Sequence, residues 1–391
     1  NGGVKTEGNY VSGVRNGDWA EYWEEVWWLD YGEDGEANTK DTLENNNKWD
    51  SVEVVIPDFI PKFKLQGRYV NGNRDSTWTE YFKDGKRKTE LNYSNGKFSG
   101  LQSYWSSNGN KVEEKNYIHG KQQGLWTIYY EETGIKKEET NYVDGVQEGL
   151  WTEWFEDGQK RRERNFKNGE RDSTWTTWYK NGNKKFLATY INGKLNGKYI
   201  RWFEGGIIKE LDGDYLNNKK HNKWVFWGKN GQKTEEINYN NGVHHGSHIN
   251  WYGDKNDQHK SFHVNYKNGA KDGDWHYWYA SGIDSLKSNY LDGEKDGHWV
   301  WWRKNGLKDK EGFYKKEKKH GVWTMWNDSS GIAYHKLHEE TFVNDIIDGK
   351  VTKWYKEGGL DRQGVMRGKE REGEWTYWER GGKRWLKFDY G

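Results

Sequence analysis

Aromatic, polar and glycine positions recur along the chain in a fixed order, with a period close to 24 residues. Each repeat carries a Gly-x-Trp motif or its equivalent, and we take the third residue of that motif as the origin of the repeat. Ten of the thirteen steps between successive origins are 24 or 25 residues long. A period in this range is typical of stacked repeat architectures. The fourteen origins are Trp19, Trp78, Gln102, Trp126, Trp151, Trp175, Tyr199, Trp224, His248, Trp275, Trp299, Trp323, Val351 and Trp375.

Three further positions keep their register with the origin. Three residues after it stands Tyr or Trp in all fourteen repeats, as at Trp105. Nine residues before it stands an aromatic residue in every repeat but the last, which has Met366. Two residues before it, Gly occupies eleven repeats, and Ser76, Ser173 and Asn222 occupy the others. This regularity predicts one structural unit repeated fourteen times.

Short runs rich in Trp, Tyr and Thr alternate with Asn-Gly and Asp-Gly pairs such as Asn71-Gly72, Asp84-Gly85 and Asn181-Gly182. Such a pair between two β-prone runs is a strong hairpin signal, because both central residues of the turn must take positive φ. The sequence therefore predicts an all-β fold, an elongated single-layer antiparallel β-meander of about fourteen 24-residue hairpin repeats. The Gly two before each origin is predicted to leave room for a neighbouring ring, as aromatic rings cover glycine in sheets.

The step from Trp19 to Trp78 is 59 residues long, so the first repeat contains an insert at about 24–64 that holds both prolines. An insert of this length is predicted to leave the sheet as a loop or flap. No linker or shift in composition divides the remainder, and 1–391 is predicted to be a single repeat array. Because the insert is the only large non-repetitive feature, its apolar residues are the candidate partner-binding residues. They are Trp27, Trp28, Trp49, Val54, Ile56 and Phe59.

Aromatic residues make up 17% of the chain and include 27 Trp. A buried aromatic ring removes a large apolar area from water, which opposes the disorder that a charged, aliphatic-poor chain would otherwise show. Twenty-one of the Trp lie at an origin or three residues after one. Those at the origins are therefore predicted to be structural, for example Trp126, Trp151, Trp175, Trp275, Trp299 and Trp323.

The chain carries 62 basic and 61 acidic residues, interspersed along its length, for a formal net charge of +1. Such a balance disfavours a nucleic-acid partner. There is no Cys, so disulfides and thiolate metal sites are excluded. No apolar run approaches the ~20 residues of a membrane-spanning helix, and no transmembrane segment is predicted.

The pattern Tyr-x-Asn-Gly-x-x-x-Gly, as in Tyr93 to Gly100, resembles the MORN repeat, and more closely the bacterial MORN variant of antitoxin-annotated repeat proteins. A His before the second Gly, at His245 and His320, also matches. The chain departs from the usual repeat where it has Trp instead of Gly, as at Trp126 or Trp275. The resemblance covers nearly all of the chain outside the insert. It implies an elongated β-hairpin ribbon used in scaffolding, at membranes or in protein–protein contact, and it names no chemistry.

Two histidine groups are candidates for a metal site, His244-His245-x-x-His248 and His259-x-x-x-His263. A metal site needs three or four convergent ligands, and no acidic residue recurs with these histidines, so imidazoles lining turns are favoured. No nucleophile elbow or phosphate-binding loop is present. Recurrent carboxylates such as Glu90 and Glu114 are explained by cross-strand ion pairs. We therefore predict a protein that is not an enzyme and has no catalytic residue, cofactor or metal.

The leading functional hypothesis is a structural, protein-interaction scaffold that presents its sheet faces and the 24–64 insert to a protein partner. The alternative is a glycan-binding module, secreted or at the cell surface, whose Trp and Tyr ladders stack on sugar rings. For this, the segment from Gly124 to Tyr130 resembles the shorter Gly-Trp repeats of choline- and glucan-binding proteins. A third, antitoxin-like function depends on the family resemblance alone.

The two ends of the sequence both align with second strands of the repeat, at 2–10 and 382–390. Neither end has the atypical polar repeat that closes an array, and exposed strand edges favour aggregation. The sequence is therefore expected to be a segment of a longer array, or to have its edges covered by another chain.

Overall fold

The computed structural model describes residues 6–23, 63–253, 259–327 and 333–391. In these ranges the protein is all-β, with no helix, and consecutive strands form an antiparallel meander. The predicted fold class is therefore confirmed. The chain divides into two compact units, Asn1–Asp172 and Ser173–Gly391.

In the first unit, each repeat places its origin near the end of one strand and pairs that strand with the next. The strands are β1 (Thr6–Val11), β2 (Val14–Tyr22), β3 (Phe63–Val70), β4 (Asn73–Tyr81), β5 (Arg87–Ser94), β6 (Lys97–Trp105), β7 (Lys111–Ile118), β8 (Lys121–Tyr129), β9 (Lys136–Val143), β10 (Val146–Gln147), β11 (Gly149–Trp154) and β12 (Lys160–Lys167).

The second unit continues the same alternation of strands. They are β13 (Glu170–Trp178), β14 (Lys184–Ile191), β15 (Lys194–Trp202), β16 (Lys209–Leu216), β17 (Lys219–Trp227), β18 (Lys233–Asn240), β19 (Val243–Trp251), β20 (Lys260–Lys267), β21 (Ala270–Lys271), β22 (Gly273–Trp278), β23 (Asp284–Leu291), β24 (Glu294–Lys295), β25 (Gly297–Trp302), β26 (Lys308–Lys315), β27 (Lys318–Trp326), β28 (Lys336–Val343), β29 (Ile346–Trp354), β30 (Leu360–Arg367), β31 (Glu370–Trp378) and β32 (Arg384–Asp389).

Two kinds of turn join the strands. Before most first strands the turn has two residues of positive φ, as at Asn95 (50°) and Gly96 (76°), which is the type I′ geometry that suits hairpins. At the other end of the hairpin, only the glycine of Asp84-Gly85 or Asn181-Gly182 has positive φ. There the Phe82 N–H donates to the Lys86 carbonyl at 2.8 Å and closes a longer turn. The expectation that both residues of every such pair take positive φ is therefore right at one end of the hairpin only.

The residue two before the origin lies in a β-bulge. All fourteen residues at this position have φ between 53° and 132°, in the left-handed region that favours glycine. Around Gly100 the pairing shifts from Leu91 with Gln102 to Tyr93 with Phe98. A Cβ added to Gly100 would meet the Asn92 side chain at 3.4 Å, and no ring lies over it. The prediction that this glycine makes room for a ring is wrong, because its role is backbone conformation.

Rings do cover glycine, but at the position eleven before the origin. A Cβ added to Gly67 would lie 2.1 Å from the Trp78 ring, and one added to Gly312 would lie 2.2 Å from the Trp323 ring. The indole therefore rests directly on the backbone of the neighbouring strand. The glycines in this position are Gly8, Gly67, Gly213, Gly312 and Gly364.

The origin residues form the core of one face of the sheet, which we call the tryptophan face. Eleven of the fourteen are buried, and Trp126, Tyr199 and His248 are half-buried. In at least seven repeats the indole N–H donates to the carbonyl ten residues earlier, as from Trp275 to Asn265 at 2.9 Å. Gln102 makes the same bond to Asn92 with its side-chain amide, also at 2.9 Å. Most origins therefore carry a large side chain with an N–H donor, and Tyr199 and Val351 are the exceptions without one.

Aromatic rings and cations alternate along the tryptophan face. Trp275 packs against Tyr266 and Tyr290, with ring centroids 5.4 Å and 5.0 Å away. The Lys271 ammonium lies 4.6 Å from the centroid of the Trp275 ring and 4.7 Å from that of Tyr290. Lys or Arg takes the same place beside Trp78, Trp224, Trp299, Trp323 and Trp375. Each cation thus adds a cation–π contact between its own repeat and the next.

Neighbouring repeats are also joined through their type I′ turns. The Gly96 N–H donates to the Arg74 carbonyl of the preceding repeat at 2.8 Å, and this bond recurs along both units. The first turn residue donates to a side chain three before the preceding origin, as from Asn168 to Glu148 at 2.7 Å. The turn backbone is thereby satisfied by the repeat before it, which fixes the spacing of the repeats.

Candidate functional site

The opposite surface of the sheet, which we call the threonine face, presents polar and aromatic side chains at regularly repeated positions. The residue one after the origin points to it because side chains alternate along a strand. In eight repeats this residue is Thr or Ser, and all eight are buried. The residues one before and three after the origin share this face and flank the buried hydroxyl on either side.

An aromatic row runs along the threonine face, formed by the Tyr or Trp three after each origin. In the first unit it comprises Tyr22, Tyr81, Trp105, Tyr129 and Trp154. All fourteen aromatic residues at this position are half-buried. Lysines lie beside the rings, as where the Lys136 ammonium is 5.9 Å from the Trp154 ring centroid. The row therefore offers partly accessible rings and cationic hydrogen-bond donors at a constant interval.

Ion pairs lie next to the aromatic row. Lys111 pairs with Glu114, and the same pair recurs between Lys136 and Glu139. The partners are three residues apart on one strand, whereas the sequence suggested pairs across strands. A second bulge explains the difference, because Trp105 pairs with Lys111 while Tyr104 pairs with Glu113, so one extra residue brings the lysine onto the face of the glutamate.

The Glu114 carboxylate also accepts a hydrogen bond from the Tyr129 hydroxyl at 2.7 Å. Partial burial raises the pKa of Glu114, but the hydrogen bonds that it accepts from Lys111 and Tyr129 lower the pKa by more. The pKa of Glu114 therefore lies below its ordinary value. Burial first, and then the Glu114 carboxylate, raise the pKa of Tyr129. Near neutral pH, Glu114 is therefore ionised and Tyr129 is neutral, so the hydrogen bond between them is kept.

A leucine row lies on the same face, one residue before three consecutive origins. Leu101, Leu125 and Leu150 are 45%, 51% and 48% exposed. Ile118, Val143 and Val146, on β7, β9 and β10 of the same unit, are exposed as well, and Asn116 and Asn141 pair with Leu101 and Leu125 on the intervening strands. In the second unit the corresponding positions are polar except Val322, and include Lys198 and Lys223. The three leucines are therefore a local feature of β6, β8 and β11 and not a requirement of the repeat.

A polar depression lies on strands β1–β4 of the first unit, with a volume of about 760 Å³. Its polar lining includes Glu7, Asn9, Asp18 and Arg68. Phe63 lines it as well and stacks on Tyr22, with ring centroids 5.1 Å apart. Its size falls in the range of small-ligand sites, although those are mostly apolar.

Three of the histidines that the sequence singled out, His244, His245 and His248, serve three different positions of the repeat. His248 replaces the origin Trp and contacts Glu235 at 2.8 Å, and His244 takes the place of the cation on the tryptophan face. His245 accepts the turn N–H of Asn268 at 3.3 Å. Among the described residues, no group of three or more His, Asp or Glu is placed to hold a metal ion.

Acidification should destabilise the second unit. Burial is the largest influence on His244, His263, His276 and His338 and holds the pKa of each below the ordinary 6.5, even where Asp284 lies 2.6 Å from His276. The unfolded chain then binds protons that the folded unit does not, so stability falls as the pH drops below about 6.5 towards the folded pKa values.

We expect the fluorescence melting temperature of the second unit to be lower at pH 5.5 than at pH 7.5. A variant with Gln at all four positions is the control, and it should lose most of this difference. An equal pH dependence in that variant would show that other groups cause the effect.

The predicted site residues fall into two groups. Trp27, Trp28, Trp49, Val54, Ile56 and Phe59 lie outside the described residues, as does all of the insert except Phe63 and Lys64, which begin β3. Trp151, Trp175, Trp275, Trp299 and Trp323 are buried at their origins, and Trp126 is half-buried. The leucine row was missed, although its residues stand one before three consecutive origins. In the part of the chain that the structure describes, no helix is long and apolar enough to span a membrane.

No family model and no curated protein matches the sequence. The resemblance to the MORN repeat and the prediction of a single array therefore stay predictions. The function of the protein is therefore inferred from the tryptophan face and the threonine face of the sheet.

Proposed function

We propose that this protein is a non-enzymatic, protein-interaction scaffold, and that the leucine row with the adjoining aromatic row is its contact surface. The observation that carries the proposal is the exposure of Leu101, Leu125 and Leu150 in three consecutive repeats. Contiguous exposed apolar patches of a few hundred Å² on soluble proteins are often functional. In the second unit nearly every residue at the same position is polar, so the repeat itself does not require leucine there.

The surroundings of the leucine row also suit a protein partner. Thr127 and Thr152 are buried on the same face, and the ion pairs beside them give a polar border to the leucine row. An apolar centre with a polar rim is the usual anatomy of a protein interface. The turn and indole hydrogen bonds fix the positions of the repeats, so binding would cost little ordering of the scaffold.

The proposal is tested with the triple variant Leu101→Lys, Leu125→Lys and Leu150→Lys. Lysine is native at this position in other repeats, for example at Lys198, so the fold should tolerate the change. Sixteen-residue peptides selected from a display library on the native protein should bind the variant at least tenfold more weakly.

The matched control is Ile191→Lys with Leu291→Lys, which removes two equally exposed apolar residues of the second unit. Binding of the selected peptides should be unchanged in this control. If the leucine variant binds them as tightly as the native protein does, the leucine row is not the contact surface.

Glycan binding is a second candidate, favoured by the polar depression on β1–β4. Carboxylates, an amide and a guanidinium beside the stacked Tyr22 and Phe63 rings provide both hydrogen bonds and an aromatic surface for a sugar. Tryptophan fluorescence titrated with soluble polysaccharides should shift if this is correct. No shift with any polysaccharide, together with peptide binding at the leucine row, would leave the protein scaffold as the function.

A further inference from the structure

We propose that the partner segment bound by the leucine row is a polyproline II helix lying across strands β6–β11. Every third residue of this segment contacts the next repeat. This inference rests on the proposed function and specifies the conformation of the ligand. It follows from the interval of the contact positions, from the hydrogen-bonding groups beside them and from the size of the patch.

The interval comes from the sheet itself. Leu101, Leu125 and Leu150 occupy the same position in consecutive repeats, on β6, β8 and β11, and one second strand separates each pair. Because neighbouring strands are about 4.7–4.9 Å apart, the row repeats every ~9.4–9.8 Å. Trp105, Tyr129 and Trp154 repeat at the same interval, four residues further along the same strands.

A peptide that crosses the strands must present side chains at this interval. Three residues of polyproline II rise about 9.3 Å and bring the side chain back to the same side. Two residues of an extended strand span about 6.6–6.8 Å, and seven residues of an α-helix span about 10.5 Å. Over the two steps of the leucine row, polyproline II stays within about 1 Å of register, whereas the α-helix drifts by about 1.4–2.2 Å.

The hydrogen-bonding groups also fit this ligand. A proline-rich segment has free backbone carbonyls and few N–H groups, so it needs donors from its receptor. Lys111, Lys136 and Lys160 lie beside the aromatic row with half-exposed side chains. Each ammonium has three N–H donors, and its one glutamate leaves donors for a ligand. Aromatic rings next to such donors are the usual surface for proline-rich peptides.

The size of the patch argues against a second copy of this chain as the occupant. A stable interface buries about 800 Å² on each partner, whereas the leucine row offers three half-exposed apolar side chains with Asn116 and Asn141 on the strands between them. The leucine and aromatic rows are four residues apart, roughly 13 Å along a strand, which is wide enough for one peptide chain.

The test uses fluorescence anisotropy with the full chain and three labelled peptides of about thirteen residues. One repeats Pro-Pro-Leu, one repeats Pro-Leu, and one is an α-helical peptide with leucine at every seventh position. The Pro-Pro-Leu peptide should bind at least tenfold more tightly than the other two. The Leu101→Lys, Leu125→Lys and Leu150→Lys variant should lose this preference, while the Ile191→Lys and Leu291→Lys control should keep it.

Two results would overturn the inference while leaving the scaffold in place. The first is tighter binding of the helical peptide, lost in the leucine variant. The second is that none of the three peptides binds, although library-selected peptides still depend on the leucine row. If the library-selected peptides are also insensitive to the leucine variant, the proposed function fails together with the polyproline II inference.

Discussion

Replacing Trp275 by Ala should lower the free energy of unfolding of the second unit by ~3–5 kcal/mol, the usual cost of truncating a large buried aromatic side chain. The Trp275 ring is 6% exposed and packs in a cluster with Val264, Tyr290 and Trp299. The substitution also removes the indole N–H that donates to the Asn265 carbonyl. Cavity formation and the lost hydrogen bond therefore act in the same direction.

Chemical denaturation followed by tryptophan fluorescence measures this loss, and hydrogen exchange locates it. Exchange should increase most on β20, β22 and β23, because repeats of an array contact mainly their neighbours. The control is Trp385→Ala, since Trp385 is 65% exposed and should contribute little. An equal effect of the two substitutions would mean that burial at the origin does not stabilise the repeat.

Gly312→Ala should destabilise the second unit by about 1–3 kcal/mol or more, as overpacking of a close contact does. The added Cβ would lie 2.2 Å from Cδ2 of Trp323, so the indole or the strand must move. Movement of the indole would strain its hydrogen bond to the Phe313 carbonyl, now 3.0 Å. The cost is steric, because Gly312 does not have positive φ.

The matched control for this substitution is Gly205→Ala. Gly205 also lacks positive φ, and no atom lies within 4 Å of its added Cβ. It should be neutral or slightly stabilising, because alanine restricts the unfolded chain. Thermal unfolding of both variants gives the comparison. If the Gly312→Ala variant has the same melting temperature as the native protein, the indole does not rest on the glycine backbone as described.

The all-β meander could be predicted because its causes are local and repeated. Aromatic spacing and turn residues such as Asn95-Gly96 are directly visible in the sequence. The bulges could not be derived in the same way, since a Gly-x-Trp motif is compatible with either a covered glycine or a left-handed one. The structure assigns these roles to Gly312 and Gly100, and only the three-dimensional pairing distinguishes them.

The candidate contact surface was harder to predict from the sequence. Leu125 follows a bulge glycine and precedes an origin Trp, which suggests a core residue as readily as an exposed one. Its exposure depends on which face the bulge assigns it to, and that follows from the shift of register near Gly124. The sequence predicts the insert as the partner-binding element because it is unlike the repeats. The leucine row, in contrast, is recognised by the solvent exposure of its side chains.

The most direct test of the contact surface is hydroxyl-radical footprinting of the native protein with and without a library-selected peptide. Radical oxidation of side chains reports their solvent exposure residue by residue. If the leucine row binds the peptide, Leu101, Leu125 and Leu150 should become protected, together with Trp105 and Trp154, while the equally exposed Ile191 and Leu291 remain unchanged. Protection confined to other strands, with the three leucines still oxidised at their original rate, would contradict it.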